Sequence, residues 1–191
     1  MKTITITTYY RLFRQRLIDI LSSSVGLIMF SPFYLFVIIA IFIEDRGSPF
    51  FKQYRTGKDR IPFLIIKFRT MNNGNVTKVG RWLRSTGLDE TAQFLNVLKG
   101  DMSMIGPRPL TEEDIRRIGW DTTKYDSRWS IKPGVSGLSQ MLAGKSAKYS
   151  WQIDLLYLKK KSFNLDVRLL FLSFLINIFG KRRIRNFFFH R

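Results

Sequence analysis

No cysteine occurs in the 191 residues, and the one histidine, His190, stands next to the C-terminus. The first absence excludes disulfides and thiolate metal sites. The second removes the commonest general base and most transition-metal sites. Acidic side chains are scarce too: 14 Asp and Glu face 32 Lys and Arg, a formal net charge of +18. There is no Rossmann glycine pattern, no P-loop, no internal repeat and no low-complexity linker. Catalysis in such a chain must run on carboxylates, lysines, arginines or an oxygen-seeking ion such as Mg²⁺. The charge draws the chain toward polyanions, whether nucleic acid, anionic lipid head groups or phosphorylated substrates. Its basic residues are scattered rather than striped and no nucleic-acid motif accompanies them, so no nucleic-acid partner is expected.

Hydrophobic residues make up 45% of the chain, enough for a sizeable core. From Ile20 to Ile43 about 24 residues carry no charge, long enough to cross a hydrocarbon core of roughly 30 Å. A cleaved leader fits poorly, because the run exceeds a typical h-region and no small-residue cleavage site follows. A single span and a helix that re-enters on the same side both remain open. Ser31-Pro32 near the middle favours a bend, with a serine hydroxyl available for a freed carbonyl. After residue 43 there are 28 Lys and Arg against 13 Asp and Glu, and four basic residues against one acidic up to it. Basic flanks on both sides favour both ends facing the cytoplasm. Val167 to Phe179 is too short to span easily, and a basic cluster and Phe187-Phe188-Phe189 follow it. That pattern suits an interfacial helix; a buried core helix with a solvated tail is the alternative.

One domain of α+β class, mostly α, is expected in three parts: a membrane segment (1–45), a catalytic part (46–166) and a C-terminal interfacial helix with basic tail (167–191). Residues 49–55 and 62–69 read as a β-hairpin turning at Gly57-Lys58-Asp59. Residues 88–99 read as a helix stopped by Gly100, and 111–118 as a short helix begun by Thr111. Residues 131–144 read as an irregular loop and 150–161 as helix.

On a regular helix, Asp89, Gln93 and Asn96 would share a polar stripe, while Glu90 would point between Phe94 and Val97. A carboxylate on that apolar side would be partly desolvated and suited to proton transfer or pairing with a cation. The bland alternative is a capping box of Thr86 and Asp89, with Glu90 serving only the helix dipole. Lys67, Arg69, Arg81, Arg84 and Arg108 supply cations nearby in sequence. Pro107 and Pro109 fix the backbone around Arg108, a setting for an arginine fork on phosphate oxygens.

Lys67-Phe-Arg-Thr-Met71, Arg84-x-x-x-Leu88-Asp89-Glu90, Asn96-Val-Leu-Lys-Gly-Asp-Met-Ser103, Gly106-Pro-Arg-Pro109 and Lys132-Pro-Gly134 follow in order. Together they resemble the bacterial sugar transferase family, the monotopic phosphoglycosyl transferases in their minimal form, from about Arg16 to Gly180. The resemblance implies a re-entrant helix-break-helix at Ser31-Pro32 and a catalytic Asp89-Glu90 dyad that also holds Mg²⁺. It implies transfer of a sugar-1-phosphate from a UDP-sugar to polyprenyl (undecaprenyl) phosphate, with release of UMP. The route would be ping-pong, through an aspartyl-phosphosugar on Asp89. Lys67, Arg69, Arg84, Gln93, Arg108, Gln140 and Asp154, with Tyr157 after it, would bind phosphate or substrate. The protein would then lie in one leaflet at the cytoplasmic face of the bacterial plasma membrane, among anionic lipids, with homo-oligomers open. Gly87, Thr91-Ala92, Ser136 and Ala143-Gly144-Lys145 depart from the family's usual residues. A basic nucleic-acid-binding membrane protein and a non-catalytic scaffold are the competing classes.

Overall fold

The computed structural model describes residues 6–142 and 146–179, a mostly helical α+β arrangement. It begins with α1 (Ile6–Asp45), 40 residues of continuous helix with Pro32 inside, without the expected break at Ser31-Pro32. The part Leu12–Asp45 is long and apolar enough to cross a membrane, and only 11% of an 18-residue apolar stretch within it is buried. Such low burial sets it apart from the core helix of a soluble protein; Ile28, Met29, Leu35 and Phe36 all lie open. Pro32 has no N–H for the Ile28 carbonyl, and Ser31 Oγ donates to that carbonyl at 2.8 Å.

The rest of the chain grips α1 along its length. Arg16 donates to the Val97 and Leu98 carbonyls at 2.5 and 2.6 Å. Buried Asp19 accepts from Ser103 Oγ at 2.9 Å and from the Met104 N–H at 2.8 Å. Tyr34 Oη donates to the Thr91 carbonyl at 3.2 Å. Glu44 accepts from the Lys78 and Val79 N–H groups at 2.6 and 3.1 Å, satisfying two orphan donors of the next helix.

After α1, β1 (Phe50–Thr56) and β2 (Pro62–Phe68) pair antiparallel, Phe50 opposite Phe68 and Thr56 opposite Pro62, as the expected hairpin. A two-residue pair, β3 (Met71–Asn72) and β4 (Asn75–Val76), leads to α2 (Lys78–Thr86). This helix was not foreseen, although Thr77 caps it by accepting from the Gly80 N–H at 2.9 Å. A 3₁₀ segment, Leu88–Gln93, then runs into α3 (Phe94–Lys99), which ends on left-handed Gly100 as expected. Next come β5 (Ser103–Ile105) and α4 (Glu112–Arg117), the latter capped by Thr111. A second 3₁₀ segment, Thr123–Ser130, precedes β6 (Gly134–Ser136), α5 (Leu138–Leu142), α6 (Ala147–Lys160) and α7 (Phe163–Phe179).

Residues 131–144 are therefore not simply an irregular loop, since they hold β6 and α5. β6 lies parallel to β5, Ser103 opposite Gly134 and Ile105 opposite Ser136. Glycines allow this pairing: a Cβ on Gly134 would sit 2.0 Å from the Gly106 nitrogen. One core gathers Phe63, Ile65, Val97, Met102, Ile105, Tyr157 and Leu169. A second, Val37, Ile41, Phe68, Leu83 and Ala92, is shared between α1, β2, α2 and the 3₁₀ segment. In α7, Leu169 is buried while Phe171 and Phe174 are exposed, so one side packs on the core and another stays open. The basic tail, Phe187–Phe189 and Ala143-Gly144-Lys145 lie outside the described residues.

Candidate active site

Strands β1 and β2, helix α2, the first 3₁₀ segment and the 107–109 loop enclose an open cleft of about 480 Å³. Asp89, Glu90, Lys67, Arg69, Arg84 and Arg108 all line it. Six of the residues expected at the site are thus brought together from positions up to 41 apart in sequence.

Gly87 makes the local geometry. With φ of 72° it ends α2 and starts the 3₁₀ segment, and no side chain caps that start. Thr86 belongs to α2 and donates back to the Trp82 and Leu83 carbonyls at 3.0 and 3.1 Å, so the capping-box alternative does not hold. A 3₁₀ turn advances about 120° per residue rather than 100°, which overturns the projected faces. Glu90 does not rest among apolar side chains: it opens on the cleft, accepting from Lys67 Nζ at 2.5 Å with Arg108 Nη2 at 3.8 Å. Asp89 beside it is partly buried. Burial pushes its carboxyl above the usual aspartate range and the adjacent Glu90 pushes the same way, against Lys67 and Arg84.

The expected polar stripe is corrected as well. Gln93 and Asn96 are buried, at 2% and 0% exposure. Asn96 accepts from the Ile66 N–H at 2.9 Å and donates to the Leu64 carbonyl at 2.7 Å, tying α3 to β2. Gln93 and Gln140 line a smaller hollow that also touches Glu90 and Arg108.

The cations differ in how free they are. Arg69 donates from Nε to the Ser48 carbonyl at 2.5 Å and pairs with Asp45, so its charge is largely balanced. Arg84 is exposed and steadied by Thr70, its Nε donating to Oγ1 at 2.8 Å. Arg108 is 55% exposed at the cleft mouth. Arg81 is exposed and absent from the lining. Asp154, expected to touch substrate, is instead 2% exposed and occupied by Arg128 Nε at 2.8 Å. Tyr157 is likewise buried, donating to Asp166 at 2.6 Å. Sequence reasoning missed Gln53, Arg55 and Thr70. The first two could have been found, because Phe51, Gln53 and Arg55 alternate along β1 and all line the cleft.

Among the described residues no cluster of three or more acids or histidines could cage a metal. Asp89 and Glu90 are nonetheless a fitting donor pair for Mg²⁺, which typically takes one or two carboxylates and completes its shell with waters and substrate phosphates. The mutual repulsion that raises Asp89 is the kind a divalent cation relieves.

Comparison with known proteins identifies relatives over nearly the whole chain. The family described as bacterial sugar transferase matches residues 10–180. A UDP-glucose:undecaprenyl-phosphate glucose-1-phosphate transferase from Klebsiella pneumoniae is 36% identical over 83% of this chain, which spans 39% of that protein. A UDP-N-acetylgalactosamine-undecaprenyl-phosphate N-acetylgalactosaminephosphotransferase from Aeromonas hydrophila is 35% identical over 83% of this chain and 42% of its own length. The uncharacterized sugar transferase EpsL of Bacillus subtilis is 37% identical over 83% of this chain and 84% of its own. The chain thus spans about two-fifths of the first two relatives and most of the third. With the matched region covering nearly all the described residues, the chain belongs to the bacterial sugar transferase family.

Proposed function

We propose that the chain is a phosphoglycosyl transferase that moves a sugar-1-phosphate from a UDP-sugar to polyprenyl phosphate and releases UMP. The observation that carries this reading is the desolvated Asp89 carboxylate in a cleft with Lys67, Arg84 and Arg108. Desolvation makes the ionised carboxylate more basic and more nucleophilic. An Asp89 oxygen attacks the phosphorus that bears the sugar, and the bond from that phosphorus to the bridging oxygen breaks. UMP leaves with the bridging oxygen, and the phosphosugar stays on Asp89 as an acyl phosphate. A phosphate oxygen of the polyprenyl acceptor then attacks the same phosphorus, forming a diphosphate bridge and returning the Asp89 carboxylate.

The cations Lys67, Arg84 and Arg108 hold the charge spread over the transferring oxygens. Lys67 also holds Glu90 in place beside Asp89 through their 2.5 Å ion pair. Mg²⁺, when bound by Asp89 and Glu90, would supply further neutralisation of the diphosphate.

The membrane reading rests on the grips on α1. Polar contacts to one body begin at Gln15 and end at Asp45, near both ends of the apolar run. A straight span would hold that body at one end only. A bend of α1 at Pro32 on entering the bilayer would keep both ends on one side, in one leaflet at the cytoplasmic face. Anionic lipids would meet the basic flanks.

The test is purified protein with Mg²⁺, polyprenyl phosphate and a panel of UDP-sugars, followed by UMP release. Wild type should release UMP with one or more donors, and without acceptor should gain one sugar-phosphate in intact mass. Full turnover by Asp89→Asn would remove the nucleophile assignment. Topology is checked in the naturally cysteine-free chain by single cysteines at Thr3 and Lys58. Both should label from the same side, and labelling from opposite sides would defeat re-entry.

A further inference from the structure

Arg108 is more than half exposed, yet the backbone that carries it is fastened at three points. The Gly134 N–H donates to the Pro107 carbonyl at 2.9 Å, and the Thr56 N–H donates to the Leu110 carbonyl at 2.8 Å. Between them, Arg128 Nη2 donates to the Arg108 carbonyl at 2.7 Å. The outer two are main-chain bonds that most substitutions would preserve. The middle one depends on a side chain 20 residues away.

That side chain is set in an uncommon way. Arg128 is 5% exposed and Asp154 2% exposed, and Arg128 Nε donates to Asp154 Oδ2 at 2.8 Å. The Trp120 and Trp129 rings lie 5.2 and 5.5 Å from the guanidinium carbon. Burying an arginine and an aspartate is costly, and an apolar pair of similar volume is often as stable or more so. Stability alone therefore does not account for the pair. An apolar pair could not donate to the Arg108 carbonyl, and the Arg108–Pro109 peptide has no N–H, leaving that oxygen as its one polar handle.

We propose that Arg128 and Asp154 are positioning residues: Asp154 orients the Arg128 fork, which fixes the Arg108 carbonyl and so aims the Arg108 guanidinium at a substrate phosphate beside Asp89. The aim matters because Arg108 reaches the cleft as an exposed side chain held only loosely by Glu90 at 3.8 Å, so its precision depends on its backbone. This inference rests on the cleft being a sugar-phosphate transfer site.

The decisive variant replaces both buried partners, Arg128→Met with Asp154→Leu. It should melt at or above the wild-type temperature while kcat/KM for the UDP-sugar falls about 10- to 100-fold, the usual effect of misplacing a positioned group by about 1 Å. The loss should fall mainly on KM and on UDP affinity measured by calorimetry. Against an Arg108→Ala background the same double replacement should cause no further loss. Arg128→Lys is the second variant, keeping the charge opposite Asp154 but lacking the fork that serves both partners. It should show the same KM defect, again absent without Arg108. Wild-type kcat/KM in either variant would overturn the proposal, as would losses that add fully to Arg108→Ala. UDP affinity separates the two levels of argument. If wild type binds UDP but transfers nothing, the proposed function fails, and the dependence of UDP binding on Arg128 through Arg108 still decides the inference.

Discussion

Gly134→Ala tests how the 107–109 loop is built. An added Cβ would lie 2.0 Å from the Gly106 nitrogen, 2.4 Å from the Ser136 oxygen and 2.7 Å from the Gly106 Cα. All three are backbone atoms, so no flexible side chain can swing away. Reaching the 3.4 Å at which ordinary contact begins requires β5 and β6 to part by about 1.4 Å. That movement breaks the bond from the Gly134 N–H to Pro107 and strains the Gly106 N–H bond to Ser136, both 2.9 Å. Overpacking costs about 1–3 kcal/mol and each lost hydrogen bond about 1 kcal/mol, so a loss of roughly 2–4 kcal/mol is expected. Because the shift moves the segment leading to Arg108, UMP release should drop about 100-fold even where the protein is folded. The assay is urea unfolding in detergent micelles, followed by UMP release at a temperature where the variant is fully folded. Wild-type values for both would refute this account of the loop. Wild-type activity with reduced stability would refute its link to Arg108.

Asp89→Asn should melt higher than wild type while releasing no UMP. The native state holds the Asp89 proton more tightly than the unfolded chain does, so ionising this group opposes folding once the pH exceeds the ordinary aspartate range. A lower melting temperature would contradict the desolvated setting. The same setting fixes the acid limb of the pH–rate profile: activity should be lost, as pH falls, at a higher pH than for an ordinary aspartate. Glu90→Gln should move that limb to lower pH and Lys67→Met to higher pH, read from UMP release across pH. Asn96→Ala removes side-chain bonds to Ile66 and Leu64 inside the protein and should cost about 2–4 kcal/mol in urea unfolding. A change under 1 kcal/mol would show that α3 and β2 do not depend on it.

How much of this was legible in the sequence differs from element to element. The hairpin, the Thr111 cap and the Gly100 stop are local signals, written within a few residues of where they act. Asp89 and Glu90 were legible as a pair but not in their environments. The 3₁₀ turn that Gly87 begins rotates both away from a helical projection, and the cations around them come from β2, α2 and the 107–109 loop. Gln93 and Asn96 read as part of one polar stripe with Asp89, because a buried polar side chain has the same spelling as an exposed one. What distinguishes Asn96 is the Leu64–Ile66 backbone, 30 residues earlier. The parallel β5–β6 pair is nonlocal in the same way, and its glycines read as loop until the strand they accommodate is placed beside them. Asp154 was singled out by its motif, while its burial against Arg128 was not legible.

The grips on α1 bear on what counts as a separable part. Arg16 ties the last turn of the segment that carries the two carboxylates, and Tyr34 ties its beginning at Thr91. Phe94, between them, packs its ring over Gly26. The membrane helix is thus less an anchor on a catalytic unit than one jaw of the vice that holds it. Residues 46–166 excised as a soluble fragment would lose both ties and the Val37 and Ile41 share of the core. Bilayer thickness or detergent choice, by tilting α1, would then be felt at Asp89 as a change in geometry. Any water-soluble redesign has to rebuild that jaw.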